Sequence, residues 1–413
     1  MSEENPPAAN ATAEVGLAPV VQNHYNSLGN GGLEERDRSR ILHMRNFNNW
    51  TKSMLIREYI AKRKEDKPED SPFHVLDLGA GKGGDLLKWK KGDISYLICA
   101  DIAGTSLKHA EERYRELKER HHRQREAGRI FQAEFIEADC TRVRLKDRYK
   151  HENITLDLVS CQFTFHYSFE SLPQAQCMLR NAAECLAPGG YFIGTTPDAN
   201  DLVRRVREAP GLKFGNDVFH IEFQGPKDHF PLFGAQYDFH LEEVVDCPEF
   251  LVNFDVLEEM AKEFGLKLVY KKRFEDFFDQ FKDDPEGKVL LRKMQALEAY
   301  PPFGGQRSQG RDPDDYRHAA AQLEKLRAQE QDSQRRMQVG TLSQAEWEAL
   351  SIYVVFAFQK KHEHSEDNHC SQLMRGSLHH RCLQKLQEIE TNQFGVLVCD
   401  LPDFLLVKLQ CRM

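Results

Sequence analysis

The chain has 413 residues, which suffices for two or three average domains or for one large α/β unit with insertions. Apolar residues make up 40% of it, enough for a sizeable core, yet no apolar run approaches the roughly 20 residues that a membrane span needs. The net charge of −9 argues against a protein that coats nucleic acid regardless of sequence, although it leaves room for one local basic pocket.

The N-terminal part divides into two segments of different composition. Residues 1–19 are rich in Ala, Pro, Asn and Glu, with neither the basic start nor the apolar stretch of a secretory signal, so we expect a disordered leader. Residues 20–63 are basic and Asn-rich, and their apolar spacing predicts a helix from Trp50 to Ala61. The cysteines form no Cys-x-x-Cys pair, which is typical of free thiols in the cytosol or nucleus.

From residue 73 onward, short apolar strands alternate with helical patterns. The strands are predicted at 73–78, 95–100, 134–138, 156–161 and 191–195, and the helices at 85–91, 106–125 and 174–186. Strands that alternate with helices form βαβ units, which build a parallel sheet with right-handed crossovers.

After the fifth strand this alternation ends. Residues 218–223 and 236–241 alternate like an inserted hairpin, Phe254–Phe264 is an amphipathic helix, and 266–270 and 351–358 supply two last strands. Between them, residues 286–341 are highly charged and mostly helical in pattern. We therefore predict a doubly wound, mostly parallel seven-stranded α/β sheet with an inserted hairpin and a helical lobe.

A glycine turn follows the first strand. Gly79, Gly81 and Gly84 satisfy the G-x-G-x-x-G spacing between a strand and a helix, where glycines let backbone amides approach a bound nucleotide closely. The turn is not a Walker A loop, because Lys82 is followed by Gly83 rather than by Ser or Thr. Enzymes that bind NAD carry the same spacing, so the turn alone does not identify the cofactor.

Three acidic residues narrow the choice of cofactor. Asp101 ends the second strand, where a carboxylate accepts from ribose hydroxyls, and this suits either cofactor. Asp77 lies just before the turn, and Asp139 ends the third strand, positioned to accept from an adenine amine. An adenosine that carries a sulphonium and an ammonium group matches several carboxylates, whereas a pyrophosphate does not. The pattern favours S-adenosylmethionine and a class I methyltransferase fold, with strand capping as the alternative role of these acids.

From Val20 to Lys361 the chain resembles the eukaryotic mRNA cap guanine-N7 methyltransferases. The matching segments include Arg45-Asn46-Phe47-Asn48-Asn49-Trp50 and the ranges 21–26, 76–91, 160–163, 166–170, 188–197, 231–234, 244–252 and 352–358. The resemblance implies that the chain transfers a methyl group from S-adenosylmethionine to N7 of the cap guanine. Ala80 departs from the pattern, since close relatives often have Cys there.

The resemblance also implies two sets of binding residues. Together with Asp77 and Gly81 of the turn, S-adenosylmethionine is expected to be held by Lys52, Gly79, Asp101, Asp139, Gln162 and Tyr167. The cap is expected to be held by Asn48, Asn49, Lys82, Lys88, Arg113, His166, Glu249 and Tyr353.

The chemistry of several cap residues agrees with that assignment. Lys82, Lys88 and Arg113 could meet a 5′-5′ triphosphate, and Glu249 could accept from the N1–H and N2–H edge of guanine. Plainer roles remain open for each feature: a solvated helix lysine for Lys88, packing for His166 and the tyrosine after it, and a helix N-cap for the Asn48-Asn49 pair.

Guanine N7 already carries an in-plane lone pair, so no general base is required, and we expect no catalytic residue and no metal. Two other functions remain open: a cap-binding protein without catalysis, and a methyltransferase that acts on another substrate on the same fold. The intact cofactor residues argue against the first. The Lys82, Lys88, Arg113 and Glu249 set argues against the second.

Partners and location follow from the resemblance alone. We expect capped RNA as substrate, a small RNA-binding activating subunit at 286–341, contact with the RNA polymerase II transcription machinery, a nuclear location and no membrane association. Residues 362–413 are expected to form a variable tail, since their His and Cys residues lack the ligand spacing of a known zinc module.

Overall fold

The computed structural model describes residues 16–27, 39–125, 128–304, 308, 310, 313–329, 337–362, 385 and 386. The expected leader as far as residue 15, and the expected tail apart from His362, Lys385 and Leu386, lie outside these described residues. The first helix, α1, spans Ala18–Ser27, so the last two residues of the expected leader are helical instead.

A seven-stranded sheet forms the centre of the molecule. Its strands are β1 (His74–Leu78), β2 (Tyr96–Asp101), β3 (Gln132–Glu137), β4 (Leu156–Gln162), β5 (Leu186–Pro197), β10 (Leu266–Arg273) and β13 (Tyr353–Lys360). They lie in the order β10-β13-β5-β4-β1-β2-β3. Strands β1 to β5 are mutually parallel, and β13 runs antiparallel to both of its neighbours. The predicted seven-stranded, mostly parallel sheet is confirmed.

Helices cover both faces of this sheet. They are α2 (Leu42–Glu65), α3 (Leu86–Lys91), α4 (Gly104–Arg123), α5 (Leu172–Ala183), α6 (Ala199–Glu208), α7 (Phe254–Glu263) and α8 (Phe274–Phe281). One core contains Trp50 of α2 and Leu107 of α4, packed against sheet residues such as Leu97. The opposite core contains Met178 of α5 and Met260 of α7. Sheet residues are buried on both faces because helices lie on each side.

Helix α2 is twice as long as the predicted helix, with 24 residues instead of the 12 from Trp50 to Ala61. Its first turns bury polar residues such as Asn46, which apolar spacing does not register. Helix α5 ends at Ala183, three residues earlier than predicted. The reason is that β5 starts at Leu186 and already includes Gly189 and Gly190, which precede the predicted strand.

The expected hairpin is a four-stranded antiparallel sheet. Its strands β6 (Lys213–Gly215), β7 (Phe219–Phe223), β8 (Gln236–Leu241) and β9 (Val245–Phe250) lie in chain order. The pairing of β7 with β8 is confirmed. The sequence did not reveal β9 because Pro248 interrupts its pattern. As β9 is an edge strand, a proline is tolerated there.

The lobe before β13 contains more than helices. It consists of α9 (Pro285–Lys293), α10 (Arg317–Gln329) and a short antiparallel pair, β11 (Glu298–Tyr300) with β12 (Val339–Thr341), and α11 (Gln344–Leu350) then leads into β13. The prediction of a mostly helical insertion missed the two strands because each has only three residues.

Candidate active site

The glycine turn connects β1 to α3 at the carboxyl edge of the sheet. Gly79, Gly81 and Gly83 have positive φ angles of 69°, 53° and 73°, a region that favours glycine. A Cβ on Gly79 would lie 2.5 Å from Thr164 Oγ1, whereas a Cβ on Gly81 would meet nothing within 4 Å. The third glycine that the backbone requires is therefore Gly83 rather than Gly84 of the predicted spacing. The open side of Gly81 leaves room for a ligand.

The amides of this turn face the neighbouring strand. Those of Gly79 and Ala80 donate to the carbonyl of Ala100 at 2.8 and 3.2 Å, and that of Gly81 donates to Asp101 Oδ2 at 2.8 Å. In the structure these three amides are thus paired with the second strand, and their role toward a ligand stays a prediction. The turn contributes its shape and the backbone clearance at Gly81.

Three polar residues lie at the carboxyl ends of β2, β3 and β4, with Asp101 and Gln162 as the last residues of their strands. Asp101 is buried, which raises its pKa, and among the described residues it accepts from two amides, those of Gly81 and Ala103. A carboxylate has about four acceptor sites, so capacity for ribose hydroxyls remains. Asp139 lies two residues beyond the end of β3 rather than at it, and accepts from Thr141. Gln162 has a buried Oε1 without a hydrogen-bond partner in the described part of the chain.

A buried charge cluster lies behind the glycine turn. Lys52 of α2 contacts Asp85 at 2.9 Å, and Lys88 of α3 contacts the same carboxylate at 2.7 Å. Although burial opposes it, these two ammonium groups hold the pKa of Asp85 well below its usual range. Asp77 accepts from Trp89 Nε1 at 3.1 Å; burial, with a further contribution from Asp85, raises its pKa to about 7. Lys88 therefore lies in this cluster rather than on a solvated helix face.

A second group of buried polar side chains comes from β8, β9 and the segment after β4. Glu249 of β9 is 3% exposed, and its Oε2 accepts from the Tyr237 hydroxyl at 2.9 Å. Its Oε1 lies 3.2 Å from His166 Nε2, without the alignment of a hydrogen bond. His166 Nδ1 is likewise buried and has no hydrogen-bond partner among the described residues. A buried acid with remaining acceptor capacity suits a ligand that presents N–H donors.

Aromatic side chains pack around this group. The hydroxyls of Tyr25 in α1 and Tyr167 are 3.0 Å apart, and the Tyr353 ring lies 5.1 Å from that of Phe163. Burial, with a smaller contribution from Glu249, raises the pKa values of Tyr25, Tyr167 and Tyr353. These hydroxyls are therefore protonated near neutral pH and can donate hydrogen bonds.

The remaining expected cap residues lie around the same edge. Arg113 of α4 donates from Nη1 to the carbonyl of Lys82 at 3.0 Å. Asn49 Oδ1 accepts from Lys88, and Asn48 Oδ1 is buried without a hydrogen-bond partner among the described residues. The alternative role of this pair as a helix N-cap is excluded, because both residues lie well inside α2.

The chain matches the family model described as the mRNA (guanine-N(7))-methyltransferase domain over residues 8–361. It is 47% identical over 343 residues to the mRNA cap guanine-N(7) methyltransferase of Drosophila melanogaster, covering 83% of this chain and 77% of that one. It is 39% identical to the mRNA cap guanine-N(7) methyltransferase of Caenorhabditis elegans, covering 84% of this chain and 88% of that one. It is 36% identical to the mRNA cap guanine-N(7) methyltransferase 1 of Oryza sativa subsp. japonica, covering 87% of this chain and 85% of that one. The chain belongs to the mRNA cap guanine-N7 methyltransferase family.

Membership confirms the resemblance based on residues 20–361, and the family match begins twelve residues earlier. Sequence reasoning missed several residues of this cap methyltransferase site, among them Tyr25, Asp85 and Tyr237. Tyr25 lies in a matching segment, but nothing in the sequence connects α1 with Tyr167. In the sequence, Tyr237 looks like an ordinary inward-facing residue of an alternating strand. Its role becomes visible only through its cross-strand pairing with Glu249.

The described residues of this cap methyltransferase contain neither a candidate metal site nor a membrane-spanning helix. Within them there is no group of three or more His, Cys, Asp or Glu side chains that could hold a metal ion. The helices in the described part of the chain include none that is long and apolar enough to cross a membrane.

Proposed function

We propose that the chain transfers the methyl group of S-adenosylmethionine to N7 of the guanine cap by holding the two substrates in adjoining pockets. The observation that supports this most directly is the position of Tyr25. Its carbonyl accepts from Ser106 Oγ at the start of α4, directly after the strand that ends at Asp101, at 3.5 Å. Its hydroxyl lies 3.0 Å from that of Tyr167, whose ring packs against His166 beside Glu249. This residue therefore lies between the two groups of side chains, as an in-line transfer between two bound molecules requires.

The hydrogen-bond acceptors and the open space beside the glycine turn fit S-adenosylmethionine. The unpartnered Oε1 of Gln162 is a buried acceptor, the spare acceptor sites of Asp101 suit ribose hydroxyls, and Gly81 leaves an open side. Asp101, Asp139 and Gln162 would hold the adenosine, and Lys52 would face the methionine carboxylate. The bound cofactor supplies a methyl group on a positively charged sulphur, which makes that carbon electrophilic.

Glu249 selects guanine in this proposal. The Watson–Crick edge of guanine presents N1–H and N2–H donors side by side, and a carboxylate accepts both. Adenine lacks that donor pair, so it would leave the remaining acceptor sites of this buried acid without donors, which is costly. Tyr237 fixes the orientation of the carboxylate by donating to Oε2, and His166 lies against the other oxygen.

The residues around the two pockets position the substrates and exclude water without moving a proton. Guanine N7 attacks through a lone pair in the plane of the ring and has no hydrogen to lose, so a general base would have no task. The raised pKa values of Tyr25, Tyr167 and Tyr353 keep these hydroxyls protonated. Catalysis then comes from proximity, orientation and electrostatic surroundings.

The test is methyl transfer from labelled S-adenosylmethionine to GpppG, with ApppA, which contains no guanine, as the control substrate. We expect transfer to GpppG alone, and loss of that transfer in Asp101→Ala. Binding of GpppG without transfer would support a cap-binding protein that lacks catalysis. Equal transfer to both dinucleotides would support a methyltransferase that acts on another group.

We further propose that a small RNA-binding activating protein docks on the lobe formed by α9, α10, β11 and β12. Two apolar side chains are exposed on the lobe, Val289 at 58% and Phe303 at 54%. The lobe also contacts α2 through two side chains of that helix. Trp50 Nε1 donates to Gly287 O at 3.0 Å, and Arg57 contacts Asp284 at 2.9 Å. A docked protein would thereby stabilise the helix that carries Lys52 and the Asn48-Asn49 pair.

Affinity capture from cells that make the chain tests this partner. We expect a small basic protein to be retained by the native chain and lost from Val289→Asp and Phe303→Asp. Val269→Asp, at a position 43% exposed on the sheet edge, is the matched control that should retain it. Capture without such a protein would contradict the proposal.

We also propose that the chain works in the nucleus beside the RNA polymerase II machinery, because its substrate is the cap of a newly made transcript. Fluorescence imaging of the tagged chain and co-purification with the polymerase test this directly. An exclusively cytoplasmic signal would contradict it.

A further inference from the structure

The chain leaves its last strand where two helices on the same face of the sheet end. Lys360, the last residue of β13, donates from Nζ to the carbonyls of Ala183 and Phe264, at 3.2 and 2.5 Å. Ala183 is the last residue of α5, and Phe264 directly follows α7. The amide of Lys361 donates to Gly265 O at 2.9 Å. The residues after β13 therefore start beside the carboxyl ends of α5 and α7.

Two residues of the C-terminal tail lie against this face again. Leu386 is 6% exposed and belongs to the buried core that contains Met178 of α5 and Met260 of α7. Its neighbour Lys385 places Nζ 3.5 Å from Glu259 Oε2 of α7. Both tail residues lie beyond the family match, which ends at residue 361. The core on this face therefore includes a side chain that the family domain does not supply.

Helix α7 combines an apolar stripe with an acid beside it. Its buried residues are Phe254, Val256, Leu257, Met260 and Ala261. Glu259, whose side chain is 14% exposed, adjoins this stripe and also contacts Lys262. In the tail, an apolar residue follows a basic one, which matches a stripe with an acid at its margin. Burial of Leu386 supplies most of the attraction, because an ion pair near the surface contributes little.

The length of the tail favours docking within one chain. Residues 363–384, 22 in number, connect His362 to Lys385 and reach roughly 70 Å when extended. Glu259 precedes Phe264, beside which the chain leaves the sheet, by five residues, which is about 8 Å along a helix. The connection is therefore much longer than the gap. A tethered segment also has a high effective concentration, against which a second copy of the chain would have to compete.

We propose that the C-terminal tail docks on α7 of its own chain through Lys385 and Leu386. Leu386 enters the core beside the apolar stripe, and Lys385 sets the position of the tail along the helix through Glu259. In the sequence, Leu383, Leu386 and Ile389 recur every third residue between polar ones, a pattern typical of an amphipathic helix. The docked residues lie outside the sets assigned to the cofactor and the cap, so docking secures the fold and leaves methyl transfer unchanged.

Limited trypsin digestion of the full chain measures docking, because a protease cleaves a segment according to the fraction that is released. The cleavage to follow is the one after Arg381, four residues before Lys385. We expect it to be faster by a factor of about ten or more in Leu386→Asp, since a buried leucine is replaced by a charge. Leu212→Asp, at a leucine 37% exposed, is the matched control and should be cleaved at the native rate.

Exchange of the two charges tests the contact itself. Lys385→Glu should accelerate cleavage after Arg381 about threefold, because it repels Glu259, and Lys385→Glu combined with Glu259→Lys should return the rate toward the native value. The kcat and the KM for GpppG should stay native in these variants. Equal cleavage of the native chain and Leu386→Asp, or no recovery in the double variant, would overturn the docking. A native cleavage rate that falls with rising chain concentration would overturn docking within one chain, because a second copy would then hold the tail.

Discussion

At the scale of single residues, Asp77 is the carboxyl group whose protonation differs most clearly from that of a solvated acid. Its pKa of about 7 lies above the value of about 4 for an unfolded aspartate. Between these two values the folded chain binds more protons than the unfolded chain, so the free energy of unfolding falls as pH rises from 4 to 7. The slope reaches at most about 1.4 kcal/mol per pH unit for one proton.

We therefore predict a flatter pH dependence for Asp77→Asn. Urea unfolding of the variant at pH 5, 6 and 7 should lose less free energy across this range than the native chain. If the ionised acid also serves the cationic end of S-adenosylmethionine, the native affinity for the cofactor should rise through pH 7 and that of the variant should not. Parallel curves for the two chains would show that Asp77 does not titrate in this window.

His166 provides a second test at this scale. Its ring lies against Glu249 and Tyr167, so His166→Ala removes a wall of the cap pocket. We expect the KM for GpppG to rise roughly 10- to 100-fold while the pH profile of kcat keeps its shape, because the ring transfers no proton. A sharp new pH dependence with unchanged cap affinity would mean that His166 acts as an acid or base.

At the scale of elements, glycine-to-alanine substitutions in the glycine turn distinguish backbone strain from steric collision. Gly79 and Gly81 both have positive φ, so alanine at either position costs about 1–2 kcal/mol of conformational strain. At Gly79 the added Cβ also collides with Thr164, which adds about 1–3 kcal/mol. Gly79→Ala should therefore unfold at a lower urea concentration than Gly81→Ala.

Gly81→Ala should fold and yet bind S-adenosylmethionine at least tenfold more weakly, because its Cβ enters the open side of the turn. Calorimetric titration of the folded variant measures this affinity. Native affinity in Gly81→Ala would mean that the cofactor does not approach the turn at this residue.

At this scale, patterns within a short stretch of sequence predict structure, whereas contacts between distant segments leave no such pattern. The alternation of strands and helices predicted the central sheet, because each βαβ unit has its own local signal. The pocket around Glu249 required Tyr25, His166 and Tyr237 to meet from three separate segments, and no local pattern encodes that meeting. The resemblance supplied the role of Glu249, and the structure supplied its partners.

Errors at element boundaries have physical causes as well. Helix α2 extends beyond its apolar stripe because the lobe covers its first turns, where Asn46 donates to Gln295 O at 3.3 Å. Strand β9 became visible only through its pairing with β8, since Pro248 suits an edge strand. Gly83 could be identified only from its φ angle.

At the scale of the whole molecule, charge determines how the chain treats RNA beyond the cap. With a net charge of −9, the chain offers little general attraction for phosphates away from the cap site. A capped dinucleotide should therefore be nearly as good a substrate as a capped 20-mer for the isolated chain. A kcat/KM that rises steeply with RNA length would reveal a second RNA-binding surface.

The central claim is that the two pockets direct the methyl group to a single atom of the cap guanine. It is tested most directly by nuclear magnetic resonance of the product formed from GpppG and S-adenosylmethionine carrying a 13C-labelled methyl group. All of the transferred label should appear on N7, and the analogue with carbon in place of N7 should accept none. Label on N1, N2, O6 or a ribose hydroxyl would contradict the account.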